Sequence, residues 1–239
     1  ARQTLGQNSE AERLYWRLIQ KFKSSPLVPD SHLAIGEINF DKTKFDKALT
    51  HFLAIEKYPE SRVYPYGLYK SGWSYYNLRE AVKGIKKLEE VVKYGKYVAE
   101  NNIDARLDLR REALADMTIF YEDVYPAKDA FSYFAKQAGE LEVEPVIMKL
   151  ATLYERHSRY PEKEIVLRDL IQKRPKSDVL PEVHDQLAWN FENMKQRESV
   201  VAEMEKFYKL CDPKGNWVES QYDKLTSEEK QKQPIETFV

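Results

Sequence analysis

Tyr64–Leu78 reads YPYGLYKSGWSYYNL, six aromatic rings in fifteen residues with two glycines among them. Such a stretch can be a cofactor pocket, a slice of core, or the lining of a groove that holds another protein. Spacing narrows the choice. Tyr66, Tyr69, Trp73 and Tyr76 advance by 3, 4 and 3 residues, which aligns them on one face of a helix. Leu68, Gly72 and Tyr75 form a separate stripe, suited to packing within a helix pair. No phosphate-cradling glycine loop adjoins the rings, so no cofactor is expected. Groove and core both stay open for Trp73 and Tyr76.

The arrangement around Gly72 recurs along the chain. LAIGEINF (Leu33–Phe40), KLATLYERH (Lys149–His157) and QLAWNFEN (Gln186–Asn193) each carry a small residue at the same place, and EALADMTIFY carries a weaker copy. Gly36, Gly72, Ala115, Ala151 and Ala188 stand 36, 43, 36 and 37 residues apart. Twelve residues after the anchors, Ala48, Gly84 and Ala127 repeat the small position, whereas Lys163 and Val200 depart from it. Four residues further come Phe52, Leu88, Phe131, Leu167 and Met204. In the middle copy Ala130 and Phe134 give a second phase. An extended connection over 93–108 is expected to absorb the longer step. Turn signals fall between copies at KYPES (Lys57–Ser61), KRPKSD (Lys173–Asp178) and CDPKGN (Cys211–Asn216), where proline removes a backbone donor and stops a helix.

A period of this length, small residues at fixed offsets and an aromatic three residues after the anchor (Tyr75, Tyr154 and Phe191, with Asn39 and Thr118 departing) resemble the tetratricopeptide repeat family over nearly all of residues 11–213. The resemblance implies an all-α fold, an α-α superhelix of about five helix–turn–helix units. They fall near 29–62, 65–98, 105–140, 144–177 and 181–213, after a partial unit at 11–28. There Ala11, Tyr15 and Leu18 make an orphan second helix. Gly36, Gly72, Ala115, Ala151 and Ala188 are then the repeat-packing positions. Residues 214–239 cap the array or begin a further unit. In that stretch Thr226 and Glu229 form a capping box, with Pro234 stopping the short helix.

The bulk numbers exclude several functions. Lys and Arg total 38 against 39 Asp and Glu, a net charge of −1, so no long-range attraction to nucleic acid exists. The single cysteine, Cys211, forms no intrachain disulfide. No apolar run is long enough for a transmembrane segment. The amphipathic run Lys83–Tyr97 turns Ile85, Leu88, Val91 and Val92 inward and its lysines to solvent. The four histidines, His32, His51, His157 and His184, lack metal-ligand spacing, so no metal site is expected. His32 and His184 occupy equivalent early positions in first helices, which points to packing. No nucleophile motif or Walker loop occurs, and the chain reads as no enzyme.

The resemblance places first helices on the concave side, where a peptide segment or partner helix lies. The candidate partner-binding residues on that face are Phe40, Tyr66, Tyr69, Trp73, Tyr76, Asn77, Trp189, Glu192 and Asn193. The pairs Leu33/Glu37, Tyr69/Trp73, Glu112/Asp116, Met148/Thr152 and Asp185/Trp189 lack the Lys and Asn of carboxylate-clamping members. The function implied is a non-catalytic scaffold for one or more proteins. Glycine in the first helix and the Y-P-x-S turn look most like bacterial envelope members, which implies a periplasmic or outer-membrane-associated protein. The chain begins ARQTL, and a membrane anchor on upstream sequence is expected on that reading. The alternative is a cytoplasmic adaptor or regulatory module.

Overall fold

Pro29, Pro65, Pro145 and Pro181 each stand second in a helix, where the missing N–H is one that the first turn would leave unpaired anyway. The structure, a computed structural model, describes residues 8–139 and 141–232. Its α-helices are α1 Asn8–Lys21, α2 Val28–Asp41, α3 Phe45–Ala54, α4 Tyr64–Asn77, α5 Ala81–Glu100, α6 Arg110–Val124 and α7 Ala130–Ala138. They continue as α8 Glu144–Arg156, α9 Tyr160–Lys173, α10 Leu180–Asn193, α11 Arg197–Leu210, α12 Asn216–Tyr222 and α13 Ser227–Lys232. No strand occurs among the described residues. The fold is all-α, built of helices packed in adjacent pairs.

The chain divides into two compact units, Ala1–Val124 and Tyr125–Val239. In the first, α1 to α6 pack consecutively, each on the next. In the second, α8 to α11 do the same, with α7 against α8 and α9. One helix pair cannot cover its own apolar face, so each unit is held by nearest-neighbour interfaces.

Four pairs share one turn. Thr43, Arg79, Ser158 and Lys195, each seven residues after the small anchor, adopt left-handed φ of 56°, 64°, 56° and 59°. The next residue's N–H then donates back to Asn39, Tyr75, Tyr154 or Phe191 at 2.7–2.9 Å. That closes the end of the first helix as a glycine-type cap does, without glycine.

The anchors show why bulk is excluded. A methyl built on Gly36 would lie 2.3 Å from the Phe52 ring. In the next pair Gly72 and Gly84 face each other. A methyl on Gly84 would lie 2.9 Å from the Gly72 carbonyl oxygen and 2.6 Å from the Phe120 ring. Ala151 is fully buried and Ala188 nearly so. The middle repeat follows the second phase. Ala115 is only half-buried, while Thr118 is fully buried, as are Ala130 and Phe134 twelve and sixteen residues on. Thr118 back-bonds to the Ala115 carbonyl at 2.7 Å, which lets a hydroxyl occupy the small-residue place.

The extended connection expected over 93–108 is instead mostly helix. The apolar stripe of α5 continues through Val91, Val92, Gly95 and Val98, all buried, so the helix runs on to Glu100. Gly95 admits the Asp108–Arg110 pair, since a methyl there would sit 2.4 Å from Asp108 Oδ1. In the second unit α12 ties back to the turn between α9 and α10. Trp217 Nε1 donates to the Ser177 carbonyl at 2.7 Å and Gln221 Nε2 to that of Lys176 at 2.9 Å. Before α13, Glu229 accepts from Thr226 N–H at 2.8 Å and donates its own N–H to Thr226 Oγ1 at 3.4 Å. Pro234 lies outside the described residues. No helix among the described residues is long and apolar enough to cross a membrane.

Candidate partner-binding faces

In the first unit the ring-bearing face of α4 turns toward α6. Tyr69 donates its hydroxyl to Asp116 Oδ2, and Trp73 Nε1 donates to the same oxygen at 3.2 Å. One turn on, Tyr76 donates to Asp123 Oδ2 at 3.2 Å. The rings close over Phe120, with centres 5.2 Å from Trp73 and 4.6 Å from Tyr76. Burial first, then the bond to Asp116, pushes the Tyr69 hydroxyl up to about 12. Two carboxylates seven residues apart on α6 therefore collect the polar ends of three α4 rings. Tyr69, Trp73 and Tyr76 serve mainly as a helix–helix joint.

The other first-unit candidates divide. Phe40 packs edge-on against Phe45 at 5.1 Å, with the Lys70 ammonium 5.6 Å from its ring centre. Tyr66 is 36% exposed, its hydroxyl donating to the Arg106 carbonyl at 3.3 Å. Asn77 is exposed and donates to the Trp73 carbonyl at 2.9 Å.

In the second unit the face of α10 is open. Trp189 is 42% exposed, and Asp185 and Glu192, one turn to either side, are exposed too. Asn193 donates to the Trp189 carbonyl at 2.8 Å, as Asn77 does in its own helix. Beneath the indole lies Lys163, wholly buried, the residue that departs from the small-residue rule. Its ammonium pairs with Glu155 and stands 5.0 Å from the Trp189 ring centre. Tyr160 meets the same indole at 6.4 Å. The lysine thus props the ring from below, and its charge is cancelled by Glu155. Asp185 and Glu192 give the open side of the indole an acidic border.

Sequence reasoning missed Asp123 and Phe120 as the seat of the α4 rings, and it missed Lys163 under Trp189. The signal for Lys163 was present: a charged residue where the repeat demands a small one has to send its head group somewhere polar. Among the described residues no group of three or more His, Cys, Asp or Glu side chains is placed to hold a metal ion. Burial raises the Cys211 thiol, which lowers its thiolate fraction.

No family model matches the sequence. No curated protein matches it either. Among solved structures, the chain is similar to a tetratricopeptide repeat protein from Parabacteroides merdae ATCC 43184, at 17% identity over 93% of this chain and 80% of that one, with a TM-score of 0.49. The fold stated above rests on the helix pairs themselves.

Proposed function

We propose that this protein is a non-catalytic scaffold that binds a partner protein on its first-helix faces, with Trp189 as principal anchor. Stacked helix pairs present lined surfaces that commonly hold peptide segments or helices. The supporting observation is the half-exposed indole of Trp189 between two exposed carboxylates, Asp185 and Glu192. Large rings at the centre of a contact dominate binding energy, and the acidic border favours a segment with basic residues beside an apolar one. Glu192 and Asn193 belong to that face. Tyr66 and Asn77 offer a smaller accessible surface on α4, where Phe40, Tyr69, Trp73 and Tyr76 support it from within.

The style of the repeats favours a place in a bacterial envelope assembly, periplasmic or at the outer membrane, with the cytoplasmic adaptor as alternative. Fold alone does not decide between them. Trp189→Ala with Asp185→Asn is the direct test of the face. Partner recovery from the source cells is expected to fall at least about tenfold, with helix content by circular dichroism unchanged. Undiminished recovery rejects the α10 face. Fractionation of those cells separates the two locations.

A further inference from the structure

The first and last complete hairpins hold polar nodes at the same register. His32 and His184 each stand four residues before the small anchor, and His51 and Glu203 each stand fifteen after it. In the first hairpin His32 Nδ1 lies 3.0 Å from His51 Nδ1. Trp16 of α1 closes on His51 edge-on, ring centres 5.0 Å apart at 77°. In the last, His184 Nδ1 lies 2.6 Å from Glu203 Oε1. Arg168, from the preceding helix α9, reaches the same carboxylate at 2.7 and 2.9 Å, and Lys206 reaches it at 3.3 Å. One place in the repeat is filled by an imidazole pair under an indole in one unit and by a charged cluster in the other.

Acid acts on these nodes in opposite senses. A bond between two Nδ1 atoms needs one N–H and one lone pair, which the neutral pair supplies. One proton leaves a single cation, whose N–H can still donate to the Nδ1 of the neutral ring; a second proton removes that last lone pair and sets two cations side by side. At Glu203 the carboxylate accepts from every neighbour, and a proton on His184 adds attraction. Little around His32 and His51 offsets a second charge. Glu12 of α1 draws protons toward His51 but is engaged by Lys42 at 3.3 Å. Lys44 and Lys47 line the cavity of about 460 Å³ on which the pair opens, and Lys57 repels a charge on His32. Asp30 is paired with Arg62 at 3.6 Å, and Lys70 of α4 with Glu37 at 3.8 Å.

The geometry points to an acid-released latch: protonation of both imidazoles parts α2 from α3 at His32–His51, frees Trp16, and lets α1 lift away while α10–α11 stays closed. The titration ranges agree. Burial, then His51, holds His32 down at about 4, and burial also lowers His51. His32 therefore contributes fully above about pH 6.5 and loses its contribution as pH falls toward about 4, and His51 acts in the same direction. Burial alone would raise Glu203, but His184 and Arg168 outweigh it and hold the carboxyl at about 2, so that node survives far lower pH.

Hydrogen exchange of the full chain at about pH 7 and about pH 5, corrected for intrinsic rates, tests the latch. Protection in α1 and α2 is expected to fall about tenfold more than in α10 and α11. An equal fall, or an earlier one in α10–α11, overturns it. His32→Gln removes one of the two charges, so α1 is expected to keep its protection at about pH 5; loss as large as in the parent overturns the latch. His51→Glu gives the first hairpin the chemistry of the last, and is expected to reverse the pH response of α1. Should His51→Glu fail to fold, His32→Gln decides.

Discussion

At Gly84 the backbone of one helix meets the backbone of another. The space a methyl would need is held by the Gly72 carbonyl and the Phe120 ring. Gly84→Ala is therefore expected to cost about 2 kcal/mol, read as a lowered urea midpoint with an unchanged slope, because α5 must move off α4 to admit it. Asp116 is the second residue on which much depends. Asp116→Ala leaves the Tyr69 hydroxyl and the Trp73 indole N–H without their acceptor. It is expected to cost about 1–3 kcal/mol and to bring Tyr69 down from about 12 toward 10 in a spectroscopic titration. A Tyr69 that still ionises near 12 would place the whole effect in burial. Gly72 and the α4 rings were legible from spacing. Asp116 as their common acceptor was not, because a carboxylate on a solvated face and one that collects donors look alike in a sequence.

At the scale of the element, the turns are the least legible part. Glycine normally marks a left-handed helix end, and Thr43, Arg79, Ser158 and Lys195 hold that conformation instead. Thr43 bears most strain, since its branched Cβ is worst suited to φ of 56°. Thr43→Gly is expected to raise stability by about 0.5–1 kcal/mol; an unchanged or lowered melting temperature would show that the turn is not strained there. The helices themselves were readable from their apolar periods. Their ends were harder. The stripe of α5 continues past the expected break, and only the close fit at Gly95 shows why it can. The middle repeat offered two phases, and burial of Thr118, Ala130 and Phe134 selects one.

Across the whole molecule, acid should act in two stages rather than one. The first unit loses the His32 contribution between about pH 6.5 and 4, with His51 acting in the same direction. The second keeps the Glu203 contribution above the ordinary carboxylate range and loses it as pH falls from about 4.5 toward 2. Glu203→Gln should abolish the second stage. It should also cost about 3 kcal/mol at neutral pH, since Arg168 and His184 are left facing an uncharged amide. A single cooperative acid transition in the parent chain, followed by circular dichroism and tryptophan fluorescence together, would count against independent nodes. The equivalence of His32 and His184 was readable from the repeat. Their different partners were not, because what fills a repeated place is local chemistry that the period does not constrain.

The four matching turns bear on how such a chain can change over time. A joint made from main-chain bonds and one permissive dihedral does not depend on which side chains flank it. Duplicated or exchanged hairpins would arrive with their corners already formed, so new surfaces could be assembled from old modules while only the faces between them were renegotiated.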